Sequence, residues 1–136
     1  MTVTANGIIE AAVAVLNTAL AGQSYQAYDS DELERLDKDG SRPDTYLEVS
    51  VQLRYTEQLR VGPGNDKTTW WIDVEAVSNR KFNAQAALDR AHLVLDHIRL
   101  TVDTVESTPL DPNPGRPVDK AGRREWSGLD AWSCVF

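Results

Sequence analysis

The sequence predicts an α+β fold, with a single small mixed or antiparallel β-sheet and two main helices packed on one face of it. Apolar and polar residues alternate from Leu47 to Tyr55, which is the period of a strand with one buried face. A second strand follows the turn-forming cluster 62–66, and the segment from Asn83 to Ile98 has the apolar spacing of a helix. Two strands joined by a loop and followed by an amphipathic helix are typical of this class.

The first helix is predicted over residues 7–21, with Asn6 as its N-cap and Gly22 as its stop. An acidic loop at 23–45 comes next, with one helical turn around Glu32–Leu36. The apolar stripe of the helix consists of Ile9, Ala12, Val13, Leu16, Ala19 and Leu20.

The acidic loop holds six carboxylates between Asp29 and Asp39, which face only Arg35 and Lys38. A solvated loop is the simpler interpretation, and a contact surface for a basic partner is the alternative. The spacing of the carboxylates does not match a calcium-binding loop, so calcium is rejected.

Strands are predicted at 46–61 and 68–77, followed by helix 83–98 and a strand at 100–105. The second strand alternates so that Trp70 and Trp71 point to opposite faces of the sheet. Ser78 or Asn79 is expected to cap an early start of the second helix, and Asn83 a late one. The helix buries a stripe that is rich in small residues: Ala84, Ala87, Leu88, Ala91, Leu95 and Ile98.

Residues 106–124 are predicted to be a proline-rich connector that cannot join a β-ladder, because proline has no amide donor. A last strand is predicted at 125–136, and its alternation places large residues, among them Trp126 and Trp132, on one side. A strand so apolar at the end of the chain is expected to lie inside the sheet. All these elements form one domain over residues 1–136.

Composition excludes several classes of function. A net charge of −7 argues against a dedicated nucleic-acid binder, which neutralises phosphates with clustered lysine and arginine. The single cysteine, Cys134, cannot form an intrachain disulfide, so a reducing compartment is the simpler assumption. No apolar run approaches the ~20 residues of a membrane span, and no basic region precedes the first apolar run as in a secretory signal.

The sequence offers no catalytic or cofactor-binding motif. His92 and His97 lie five positions apart, about 140° around a helix, so they cannot bind zinc as a pair. His92 and Asp96 have a suitable spacing, but two ligands without a third are weak evidence for a metal site. Cys134 is expected to be a core residue. We therefore expect no enzyme, no cofactor and no metal.

Large apolar residues on both faces of the sheet point to a partner. Two helices can cover one face of a small sheet, which leaves Trp71, Asp73, Glu75 and Val77 on the other. Either the connector 106–124 folds over that face, or another chain covers it, since tryptophan is enriched at the centres of protein interfaces.

The order of elements over nearly the whole chain resembles the tail terminator (minor tail) proteins of long-tailed bacteriophages. The segments that carry the resemblance are the strands Tyr46–Val51 and Trp70–Ala76, the alanine-rich helix Ala84–Ile98 and the late strand with Trp126 and Trp132.

The resemblance implies a structural virion protein that forms a ring, generally a hexamer, at the head-proximal end of the tail, after assembly in the host cytoplasm. Such a ring stops polymerisation of the tail tube and offers a surface to head-completion or neck proteins. Its partners would be copies of itself, the tail tube protein and the neck protein, with no membrane. DNA would pass through the lumen without specific binding, as the net charge allows.

The resemblance also implies where the contacts lie. Strand 69–77, with Trp71, Asp73, Glu75 and Val77, is the expected subunit contact. Surfaces expected to meet the tube or neck are the acidic segment 29–39 and the loop 62–66, represented by Asp31, Glu32, Glu34, Pro63, Asn65 and Asp66. Two alternatives stay open: a head–tail connector or neck protein of a phage, and a non-viral small protein-binding module.

Overall fold

The computed structural model describes residues 3–58, 66–122 and 125–136 and has the predicted α+β fold. Its helices are α1 (Ala5–Ala19), α2 (Ser30–Lys38) and α3 (Lys81–Leu95). Its strands are β1 (Ala27–Tyr28), β2 (Thr45–Gln58), β3 (Asp66–Ser78), β4 (Thr101–Val102), β5 (Val105–Glu106), β6 (Asp111–Lys120) and β7 (Trp126–Val135).

Five of these strands form one mixed sheet in the order β1-β2-β3-β7-β6. β1 runs parallel to β2, and each of the other neighbouring pairs is antiparallel. β3 and β7 therefore lie inside the sheet, as their apolar sequences predict. The remaining strands, β4 and β5, form a separate two-stranded sheet.

Helices α1 and α3 pack on one face of the sheet, which we call the inner face, and the main core lies between them. α3 buries five residues of the predicted stripe: Ala84, Ala87, Leu88, Ala91 and Leu95. The sixth, Ile98, is partly buried but lies beyond the helix, which ends at Leu95 and not at residue 98 as predicted. The sheet contributes Leu47, Val49, Ile72, Val74, Ala76, Trp132 and Cys134, which are at most 2% exposed. The small residues of α3 let its backbone approach the sheet closely, as their spacing predicts.

The start of α1 differs from the prediction. Thr4, rather than Asn6, is the N-cap, and its hydroxyl oxygen accepts a hydrogen bond from the amide of Gly7 at 3.1 Å. The helix ends at Ala19 and precedes Gly22, whose φ of 87° is left-handed. With this start the buried stripe is centred on Ile8, at 0% exposed, and Ile9 lies at its margin.

The predicted acidic loop is wrong as a description of residues 23–45, because that segment contains β1 and the nine-residue helix α2. Asp29 caps α2 by accepting a hydrogen bond from the amide of Glu32 at 2.7 Å. Leu33, 2% exposed, anchors the helix on the face of the sheet opposite α1 and α3. Two leucines, Leu33 and Leu36, in a charged segment give little periodic signal, so the sequence predicted a single turn.

The proline-rich connector is also corrected by the structure, since most of it forms strand β6 at the edge of the sheet. The register of β6 against β7 shifts between Asn113 and Arg116 and again between Arg116 and Asp119. These two irregular stretches contain Pro114 and Pro117. An edge strand tolerates proline because it needs donors on one side only, and bulges absorb the rest.

Two smaller corrections concern the region around α3. The N-cap of α3 is Arg80, whose side chain makes no capping hydrogen bond, so neither Asn79 nor Asn83 is the cap that was predicted. The hydroxyl oxygen of Ser78 accepts a hydrogen bond from the amide of Arg80. The predicted strand 100–105 is the hairpin β4–β5. Its two turn residues, Asp103 and Thr104, have positive φ values of 48° and 69°, as a tight two-residue turn requires.

Candidate interaction surface

The face of the sheet opposite α1 and α3, which we call the outer face, carries the predicted contact strand. Its residues come from four adjacent strands, since side chains alternate along each strand. They include Glu48, Ser50, Gln52 and Arg54 of β2, Trp71, Asp73, Glu75 and Val77 of β3, Ser127, Leu129, Ala131 and Ser133 of β7, and Arg116 of β6. Because the connector joins the edge of the sheet as β6, it widens this face and does not cover it.

Trp71 lies on the outer face between Gln52 of β2 and Ser133 of β7 and is partly buried. The guanidinium of Arg54 sits above its ring, 3.8 Å from the centroid. A guanidinium at this distance binds the negative face of an indole through a cation–π interaction. The predicted contact residue is thus covered on one side by a cation of its own chain.

Two carboxylates of the outer face, Asp73 and Glu48, are partly buried and have raised pKa values. Desolvation raises the pKa of Asp73, although the nearby Arg54 opposes the shift. Desolvation also raises the pKa of Glu48; Glu75, directly opposite it on β3, adds to the rise, and Arg42 lowers it. In both carboxylates partial burial disfavours the charged form and is the main cause of the rise.

Glu75 is held by an ion pair across the sheet. Nη2 of Arg116, on the edge strand β6, lies 3.0 Å from Oε2 of Glu75 and donates a hydrogen bond to it. Nη1 of the same guanidinium donates to the carbonyl oxygen of Ser127 at 3.1 Å. Arg116 thus ties β6 to β3 across β7 on this face.

Val77 differs from the other predicted contact residues because the chain itself covers it. It is 5% exposed and packs in a small second core with Leu33 of α2, Tyr46 and the partly buried Tyr28. Nη1 of Arg42 donates to the hydroxyl of Tyr46 at 2.9 Å. α2 therefore closes the Val77 end of the outer face, and among the described residues no helix covers the end with Trp71.

Three carboxylates of the acidic segment 29–39 form ion pairs. Glu32 lies 3.6 Å from Arg35 and Glu34 lies 3.8 Å from Lys38, both along α2. Asp37 pairs with Arg42 at 2.8 Å. Asp31 is exposed in the first turn of α2, where the positive end of the helix dipole stabilises its negative charge. Asp31 forms no ion pair among the described residues.

The predicted contact loop 62–66 lies almost wholly outside the described residues. This applies to Pro63 and Asn65. Asp66 is the first residue of β3 and pairs in register with Gln58.

A groove of about 570 Å³ runs between α3 and strands β6 and β7. His92 lies in it, with Nδ1 3.5 Å from Asp130 and Nε2 3.8 Å from Asp96, and Asp96 is also 3.5 Å from His97. Within the part of the chain that is described, no three His, Cys, Asp or Glu residues could hold a metal ion.

Cys134 is 2% exposed, and burial raises its pKa to about 11. Cys134 is therefore a core residue, as predicted. A thiol with so high a pKa is protonated at neutral pH. None of the described helices combines the length and apolarity needed to cross a bilayer.

Comparison with known proteins supports the fold and nothing finer. A solved structure whose name states no function aligns with 98% of this chain and 96% of its own, with a TM-score of 0.63 and 9% sequence identity. Identity this low indicates a shared fold only. No family model matches the chain, and no curated protein matches it either.

Arg54 and Arg116, the cations that contact Trp71 and Glu75, were not predicted as site residues. Arg54 occupies a polar position of a regular strand, and alternation alone does not distinguish a residue that covers a tryptophan from one in water. Arg116 falls in the segment predicted as a connector, so its place beside Glu75 could not be seen. No sequence signal pairs Arg54 with Trp71, because Gln52 is the register partner of Trp71 and Arg54 falls at a register shift between Leu53 and Tyr55.

Proposed function

We propose that this chain is a tail terminator of a long-tailed bacteriophage: a structural protein whose copies form a ring on the head-proximal end of the tail tube. In this role it stops tube polymerisation and presents a surface for joining the head. The observation that carries the proposal is the open end of the outer face, where Trp71 and Arg54 stack within 3.8 Å. Tryptophan and arginine are the residues most enriched at the energetic centres of interfaces.

The arrangement of the sheet is compatible with the contacts of a ring. Its two lateral edges differ in kind, since β6 is irregular and rich in proline, and the opposite edge is formed by β1 and β2. A ring is made by heterologous contacts, in which one edge of a subunit meets a different surface of the next. Subunits of this shape therefore suit a closed cycle.

Assembly in solution tests the proposal. We expect light scattering and native mass spectrometry to detect a ring of about six subunits, either for the protein alone or after addition of the tail tube subunit. Trp71→Ala should lower the yield of rings. Phe82→Ala is the matched control, because Phe82 is an 81% exposed aromatic on α3, away from the outer face.

The outcomes separate the candidate functions. A single subunit in both conditions, with or without the tube protein, contradicts the ring and favours a small binding module. A ring that binds the portal side and not the tube favours a head–tail connector. An equal loss of rings in Trp71→Ala and Phe82→Ala contradicts the assignment of the contact to the outer face.

A further inference from the structure

Strand β2 has an edge that is unpaired over much of its length. β1 pairs with it only at Leu47 and Glu48, and the chain then leaves the sheet to form α2. β2 continues to Gln58, and within residues 3–58, 66–122 and 125–136 no strand pairs with this side of it beyond Glu48. An unpaired edge offers main-chain donors and acceptors to an additional strand.

The hydrogen bonding of Leu47 shows which residues face this edge. Its amide donates to the carbonyl oxygen of Gln26 at 3.1 Å, so its main-chain groups point away from β3. Main-chain direction alternates along an antiparallel strand, so Val49 and Val51 point the same way. Their side chains turn into the core, where Val49 is 0% exposed and Val51 is partly buried. The edge is therefore a row of polar main-chain groups on a fixed strand.

A cleft of about 360 Å³ lies along this edge. Val49, Ser50 and Val51 form its floor. One wall is the start of α1 and the other is the start of α2, and together they contribute Asn6, Ile9, Glu10, Asp29, Ser30 and Asp31. A cleft lined by an unpaired strand edge presents main-chain donors and acceptors with which an extended chain can pair.

The charge of the cleft is entirely negative. The charged residues that line it are Glu10, Asp29 and Asp31. None of the three belongs to an ion pair among the described residues, whereas Glu32 and Glu34 do. A segment that enters the cleft would therefore gain from lysine or arginine side chains directed toward these carboxylates.

We propose that this cleft binds an extended basic segment of a partner protein, which adds to the sheet as a strand beside β2. Main-chain hydrogen bonds to Val49 and Val51 would supply affinity, and basic side chains at alternate positions would face Asp29 and Asp31. The inference does not depend on the ring, because the cleft belongs to one subunit.

A defined peptide tests it: a capped peptide of about six residues that alternates lysine and valine. We expect calorimetry to detect binding and hydrogen exchange to slow at the amides of Val49 and Val51. Val51→Pro removes an outward donor and leaves the bonds between β2 and β3 in place. It should weaken binding by about threefold to tenfold, as expected for one lost hydrogen bond.

A second pair of variants tests the charge without touching the strand. Asp31→Asn should weaken binding by about twofold to fivefold. Asp39→Asn is its control, since Asp39 is exposed at the other end of α2, outside the cleft. A matched peptide with glutamate in place of lysine should not bind.

Several results would overturn the proposal. One is a failure of the lysine peptide to bind at millimolar concentration, and another is equal binding of the glutamate peptide. Unchanged affinity in both Val51→Pro and Asp31→Asn is the third such result. Self-association of the wild-type chain that Val51→Pro abolishes would assign the edge to a second copy instead. The peptide results do not involve the ring measurement, so the two proposals can fail separately; only self-association that Val51→Pro abolishes bears on both, because β2 also belongs to a lateral edge of the sheet.

Discussion

The guanidinium of Arg54 lies 3.8 Å from the centroid of the Trp71 ring, on the face of the sheet that α1 and α3 leave free. The two residues come from neighbouring antiparallel strands, β2 and β3, near the end where the sheet is not covered by α2. The stack keeps part of a large aromatic surface out of water.

This stack should be measurable as a coupling energy. In a double-mutant cycle of Arg54→Ala and Trp71→Ala, we expect a coupling of about 0.5–1 kcal/mol in the free energy of unfolding. Urea denaturation of the four proteins measures it. Lys67→Ala is the control, because Lys67 is an exposed cation on the same strand as Trp71, and its coupling to Trp71→Ala should be near zero.

Glu48→Gln should stabilise the protein at neutral pH, by about 0.2–1 kcal/mol, the range of cross-strand pairs. The pKa of Glu48 is raised by burial first and by Glu75 second. A carboxyl with a raised pKa in the fold costs stability above its folded pKa. It costs nothing below its unfolded pKa, where both states are protonated.

The gain from Glu48→Gln should therefore shrink as the pH falls through the folded pKa and vanish below the ordinary pKa of a glutamate. Denaturation of both proteins at several pH values measures this change in the stability gain. Glu10→Gln is the control, since Glu10 is an exposed glutamate on α1. A gain that persists in acid would contradict the electrostatic explanation.

Gly128→Ala should destabilise the protein by about 1–3 kcal/mol, as overpacking of a core does. A β-carbon there would lie 2.7 Å from Val118 and 3.0 Å from Leu88, where α3 crosses β7. Thermal denaturation measures the loss. Gly122→Ala is the matched control because its β-carbon meets nothing within 4 Å. Equal effects at the two glycines would mean that α3 does not pack this closely.

Leu33→Ala should cost about 2–5 kcal/mol, since Leu33 is the buried contact of α2 with Tyr46 and Val77. We also expect faster hydrogen exchange throughout α2, because little else anchors that helix to the sheet. Leu93→Ala is the control, as Leu93 is a helical leucine that is 80% exposed. Protection of α2 that survives the loss of Leu33 would show that another contact holds it.

Periodicity determined the parts of the fold in which many residues repeat one signal. The apolar stripe of α3 and the alternation along β2, β3 and β7 each involve several residues, so chance rarely imitates them. The same alternation predicted correctly that Trp70 and Trp71 occupy opposite faces. It could not predict β6 or α2, because prolines obscure the first and a single leucine anchors the second.

By itself the sequence determined the α+β class, the two main helices and the interior strands, since local hydrophobic patterns encode them. The tertiary structure decided which surfaces remain available. Burial of Val77 by α2, the stack of Arg54 on Trp71 and the unpaired edge at Val49 each depend on residues that are distant in the chain. Contacts of that kind arise from the packing of whole elements, and no local pattern specifies them.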